Sequence, residues 1–225
     1  MILDSYYWRK ELSCMMDELV SCFRFLAKYA DRFDRHPVLN RIVERKEYIV
    51  ERDLLLSAFI VRTLFEAGKL SDEMADYGLN IVSYPATPKN TKKLMPFLRR
   101  FPDDDLYDYN RPAQLIIPGR RFVNQLIHAA VIPCFDFGNN TRPAAFMVVS
   151  DRFAQNCLYR CELDVWVEFV REVVHDEVNS VHEAWDESKG KWIIERSRKE
   201  GKSLFSYEGV PIEDNGLSNR VDSSK

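Results

Sequence analysis

Between Gly119 and Ala129 the chain reads Gly-Arg-Arg-Phe-Val-Asn-Gln-Leu-Ile-His-Ala. Arg121, Asn124, Gln125 and His128 fall at helical spacings that gather them into one polar stripe, with Phe122, Val123, Leu126 and Ile127 turned toward a core. Arg121 and His128 are two turns apart, roughly 10 Å along the axis. They could hold opposite ends of a phosphodiester, particularly where the helix meets its own copy across a twofold axis. Arginine offers phosphate oxygens a permanently charged fork of donors, and histidine gains and loses a proton near neutral pH. Such a pair could cleave RNA with no metal and no cofactor. His128 would act as general base or acid at a ribose 2'-hydroxyl or a leaving oxygen. Arg121 would stabilise the charge developing at phosphorus, and Asn124 would orient the backbone, leaving a 2',3'-cyclic phosphate end. Arg120 and Gln125 would add nucleic-acid contacts along the same helix. The plainer alternative is a helix whose histidine bonds a neighbour and whose arginine is solvated.

A second basic feature is the run Lys89 to Arg100, where Lys92, Lys93, Arg99 and Arg100 surround Phe97. Charge could neutralise phosphate there while the ring stacks on a base; a solvated helix face is the alternative. Other groups fit metal chemistry poorly. His175 and His182 lie seven residues apart on one expected helix, too far to share a zinc ion. Cys157 and Cys161 on a strand would stand about 13 Å from each other and read as core packing. The acids Asp103, Asp104, Asp105 and Asp108 fall in an expected loop with nothing rigid to converge them on Mg²⁺. The chain has no glycine-rich phosphate loop, no Gly-x-Ser-x-Gly elbow and no His-Glu-x-x-His helix, which disfavours nucleotide hydrolases and zinc proteases.

These residues need a scaffold, and the apolar pattern supplies one. Leu12, Met16, Leu19, Phe23, Leu26, Ala30 and Phe33 recur at three-four spacing, predicting an amphipathic helix from about Ser5 to Phe33. After His36-Pro37 a second helix runs to Gly68, a left-handed cap, and the two should form an antiparallel hairpin. Ser71 should cap a short third helix ending near Tyr77, and Tyr84-Pro-Ala-Thr-Pro88 breaks the pattern. Phe101 to Pro112 reads as an exposed loop, followed by the helix that carries the polar stripe, from about Ile117 or Gly119 to Ala130. Val131 to Phe137, Ala144 to Ser150 and Cys157 to Leu163 read as a three-stranded antiparallel meander. Asp164 should cap a helix whose apolar face runs from Trp166 through Val178 to Val181. Beyond Trp185 the pattern loosens, and the polar end from Glu213 to Lys225 reads as disordered.

The expected architecture is therefore α+β but mainly α. One domain would span residues 1–182, with the meander at 131–163, and a C-terminal extension at 183–225 would be partly helical and then disordered. Of the 225 residues 46% are hydrophobic, enough for a sizeable core. The 32 Lys and Arg against 35 Asp and Glu leave a charge of -3, so no global positive field holds long duplex nucleic acid, and RNA contact must be local. Five cysteines without a Cys-x-x-Cys pair, and no signal segment after Met1, point to reduced thiols in the cytoplasm. The most apolar stretch, Leu54 to Phe65, is short and holds Arg62, so no membrane span is expected.

The stretch Arg121 to His128, on an amphipathic helix that follows a long helical hairpin, resembles the HEPN superfamily, whose members bear an arginine followed after four to six residues by a histidine. Asn124-Gln-Leu-Ile-His128 is similar to the commoner, tighter form, in which Val123 here takes the arginine's place. The resemblance covers roughly Ser5 to Ala130. It implies HEPN-like helices and metal-independent ribonuclease activity in a bacterial toxin-antitoxin or phage-defence system, usually as a homodimer that joins two motifs. The alternative is a non-catalytic interaction module, such as an antitoxin, adaptor or sensor subunit, with the same stripe at a dimer interface and a protein partner met through the tail.

Overall fold

The computed structural model describes residues 4–29, 37–90, 106–136, 143–150, 156–198 and 205–208. Helices α1 (Tyr6–Tyr29) and α2 (Pro37–Glu66) form the expected hairpin. Glu18 meets Arg52 at 2.9 Å, and Cys22, further along α1, meets the charge of Lys46, further back along α2, which fixes the antiparallel sense. The three-four pattern of α1 does what it specifies, burying Leu12, Met16, Leu19, Phe23 and Leu26. Past the end of α2, Gly68 takes a left-handed φ of 64°. That φ is the ground on which the position favours glycine; the Arg196 guanidinium also lies where a Cβ would stand, but as the end of a flexible side chain it could move aside. Ser71 caps α3 (Asp72–Ala75), its hydroxyl accepting from Met74 N at 3.3 Å.

Beyond α3 the protein is not mainly helical with a small meander. Strands β1 (Gly78–Pro85), β2 (Ala113–Pro118), β3 (Ala129–Asp136), β4 (Ala145–Ser150) and β5 (Cys157–Glu162) build one five-stranded antiparallel sheet, ordered β2-β1-β5-β4-β3. The expected meander is its second half. β1 joins it beside β5, with Val82 opposite Arg160 and Tyr84 opposite Leu158. β1 alternates as a half-buried strand should, sinking Leu79, Ile81 and Ser83, and Pro85 is its last residue, where a missing N–H is tolerated. β2 is an edge strand that buries only Ile117, so its sequence carries almost no alternation to read.

Helices α4 (Gly119–Ile127) and α5 (Leu163–His175) lie with the hairpin on one face of this sheet. Phe122, Phe146, Trp166 and Phe169 interlock there, ring centroids 5.6 Å apart for Trp166 and Phe169 and 6.0 Å for Phe122 and Trp166. The other face carries a smaller cluster of Leu106, Tyr107, Val149 and Leu158.

The expected helix through Val181 stops at His175. Asp176 turns extended (φ -78°, ψ 98°) and, fully buried, accepts from Ser71 N at 2.7 Å and Ser71 Oγ at 2.6 Å. This tertiary bond ends the helix; Val178 falls in the connection that follows and Val181 in a strand. β6 (Ser180–Asp186) pairs antiparallel with β7 (Lys191–Ser197) and parallel with β8 (Phe205–Glu208), in the order β7-β6-β8. The extension described after residue 182 is thus strand rather than helix, and the expected boundary falls inside β6. The basic run at 91–100, the acids Asp103 to Asp105 and the tail 213–225 lie outside the described residues.

Candidate functional site

Helix α4 is fastened at both ends. It leaves β2 directly, with Gly119 N donating to Tyr77 O at 2.8 Å. Gly119 also lies so close to the ring of Phe169 on α5 that a Cβ would collide with it. At the other end His128 is the C-cap (φ -101°, ψ 26°), its N–H donating to Asn124 O at 3.2 Å, and β3 starts at the next residue. The helix buries Phe122, Val123, Gln125 and Leu126 against α2 and the sheet.

Arg121, Asn124 and His128 fall within about 60° of arc on the helix. That arc faces outward: Arg121 and His128 are exposed, as is Arg120, and Asn124 is half-buried. Gln125 sits about 40° further round than Arg121, and that step takes it inside. It is 4% exposed, and its Oε1 accepts from Ser150 Oγ at 2.6 Å, tying α4 to β4. Gln125 is a structural fastening and does not reach a ligand on the outer face, which corrects its expected nucleic-acid contact.

The cation beside His128 is Arg62 of α2, whose Nη1 lies 3.3 Å from His128 Nε2. A guanidinium only donates, so Nε2 must accept and the ring proton sits on Nδ1. Arg62 Nε also donates to Glu66 Oε1 at 2.7 Å. On α2, Phe59, one turn before Arg62, and Leu56, a turn before that, are exposed apolar side chains. Arg121 serves a different neighbourhood. Its charge acts on Tyr159 of β5, whose phenol is pushed up to about 12 by burial first and by hydrogen bonding and charge from Cys157 next, with Arg121 opposing. The structure therefore brings His128 to Arg62, and sets Arg121 on the same open face toward the other end of α4.

Sequence reasoning misses Arg62 as a site residue. Its signal is a lone cation inside the apolar run Leu54 to Phe65, where a charge needs a partner or a task. Lys92, Lys93, Arg99 and Arg100 lie outside the described residues. His175 ends α5 with Nδ1 donating to Arg171 O at 2.7 Å, and His182 belongs to β6, so the two do not share a helix. Cys161 is buried, and burial pushes its thiol up. Asp108 pairs with Arg111 at 3.3 Å. Among the described residues no group of three or more His, Cys, Asp or Glu could hold a metal ion, and no helix is long and apolar enough to cross a membrane. Helix α4 is set between β2 and β3, the two outermost strands of one sheet. Compared with protein-family models, curated proteins and solved structures, the chain matches none of them.

Proposed function

We propose that the open face of α4 and the adjoining end of α2 bind the backbone of RNA and cleave it without metal, His128 being the acid–base group. The observation that carries this is an exposed imidazole 3.3 Å from a guanidinium, with Arg121 and Asn124 on the same outward arc. An entering phosphate would draw the donors of Arg62 to its own oxygens and release Nε2. Nε2 would then take the 2'-hydroxyl proton as the 2'-oxygen attacks phosphorus. The 5'-oxygen would leave and take a proton from water, and the imidazolium would return its proton to the solvent, giving a 2',3'-cyclic phosphate and a 5'-hydroxyl. Arg62 would offset the charge that builds on the phosphorane, and Arg121, toward the other end of α4, would hold the RNA backbone further along. The setting is a bacterial toxin-antitoxin or phage-defence system in the cytoplasm, as the Arg–His motif implies, with a homodimer presenting two such sites.

A second reading is a non-catalytic antitoxin, adaptor or sensor subunit. The exposure of Leu56 and Phe59 next to the polar stripe favours it, since such a patch suits a protein interface. Inducible expression of the wild type and of His128→Ala, with growth scored and RNA ends sequenced, separates the two. A nuclease predicts arrest and new cyclic-phosphate ends for the wild type alone. Equal effects of both proteins would leave only the interaction module.

A further inference from the structure

We infer that Phe59 is the base-stacking platform of this site, and that its substrate is therefore unpaired RNA. The inference rests on the RNA-binding role proposed above and names its substrate class. Phe59 is 56% exposed, which leaves a large ring facing water on a helix whose other side fills the core. It stands three residues before Arg62, so the two side chains rise from the same side of α2 with Cβ atoms about 5–6 Å apart. Arg62 in turn reaches His128. Ring, guanidinium and imidazole thus follow one another across the seam of α2 and α4, in the order that base, phosphate and reacting ribose would need.

Charge complements the ring. Arg62 brings a cation beside it, with the exposed His128 at 3.3 Å from that guanidinium, while the nearby Glu66 is engaged by Arg62 Nε at 2.7 Å. A polyanion would meet local positive charge there although the whole chain carries -3. Stacking selects the strand state. In a duplex each base already stacks on its neighbours, and no base face is offered to a ring standing on a helix surface. An unpaired base can lay its face on Phe59 whatever its identity, so strand state rather than sequence would be read.

The test uses a fluorescent, uncleavable 2'-O-methyl oligonucleotide, single-stranded or as a blunt duplex, with the full chain in chelator. Phe59→Ala should weaken the single strand by roughly 5- to 100-fold, the usual effect of losing one base–aromatic stack. Duplex affinity and melting temperature should stay unchanged, and Phe59→Trp should bind like the wild type. An abasic residue walked along the strand should reveal one position whose loss is not added to that of Phe59→Ala. Losses that add at every position, while binding still depends on Arg62, would overturn the stacking role and leave the phosphate site standing. A Phe59→Ala protein with altered oligomeric state and unaltered RNA affinity would overturn it in favour of a protein interface. No binding by the wild type would overturn both proposals.

Discussion

His128, at the end of α4, and Asp53, on α2, are two ionisable side chains that the fold treats in opposite ways. His128 stands in solvent with Arg62 at 3.3 Å, whereas the Asp53 side chain is 0% exposed, with Oδ1 on Arg52 Nη2 at 2.6 Å and Oδ2 lacking any hydrogen-bond partner. Desolvation raises the pKa of the Asp53 carboxyl above the ordinary carboxylate value, and the hydrogen bond and charge of Arg52 pull against it. The folded chain thus holds this proton to a higher pH than the unfolded chain does. As pH rises from the ordinary carboxylate value through the raised one, the unfolded state ionises first and the fold loses stability. Asp53→Asn keeps an acceptor for Arg52 and removes the buried charge. Its melting temperature should exceed that of the wild type at pH 7, and the gap should narrow as the pH falls toward 4. A variant less stable than the wild type at pH 7 would contradict this.

Gly119 decides where α4 lies. With no Cβ it allows the first turn to press on Phe169, and the helix then emerges with its polar arc outward. Gly119→Ala must push either the ring or the helix, an overpacking that should cost about 1–3 kcal/mol. Chemical denaturation measures the loss, and an unchanged midpoint would mean that the ring moves freely. Elements with strong apolar periodicity were legible in the sequence. The face of α1, the Gly68 cap, the Ser71 cap and strands β3 to β5 are where the pattern placed them. β1 was hidden because the proline at its end was weighed as a breaker rather than as a terminus. β2 was hidden because an edge strand buries too little to alternate. The end of α5 was hidden because it depends on Asp176 reaching Ser71 across more than a hundred residues of chain, which no local pattern records. At the site, the outward Arg121, Asn124 and His128 followed from helical spacing alone. Gln125 lay too near the edge of the arc, and Arg62 belonged to another helix.

At the scale of the molecule, Arg9 joins pieces distant in sequence. From α1 its Nη1 donates to Val173 O at 2.5 Å and to Val174 O at 3.1 Å, closing the end of α5, while Nη2 donates to Lys69 O at 2.8 Å in the turn after α2. Arg9→Met keeps much of the side chain's bulk and removes all three bonds. It should lower unfolding stability by about 3 kcal/mol, the upper range for bonds made by a charged group. A change below about 0.5 kcal/mol, ordinary for surface positions, would show that water replaces the guanidinium at those carbonyls. The hairpin and the sheet together hold His128 against Arg62, one from each side of the α2–α4 seam, so the chemistry belongs to the assembled fold. It is measured most directly with purified protein, single-stranded RNA and excess chelator, comparing the wild type with His128→Ala at matched melting temperature. The wild type should release 2',3'-cyclic phosphate ends, and the variant should be slower by roughly 10²- to 10⁴-fold. Equal rates for the two proteins, or no cleavage by the wild type, would contradict the nuclease site.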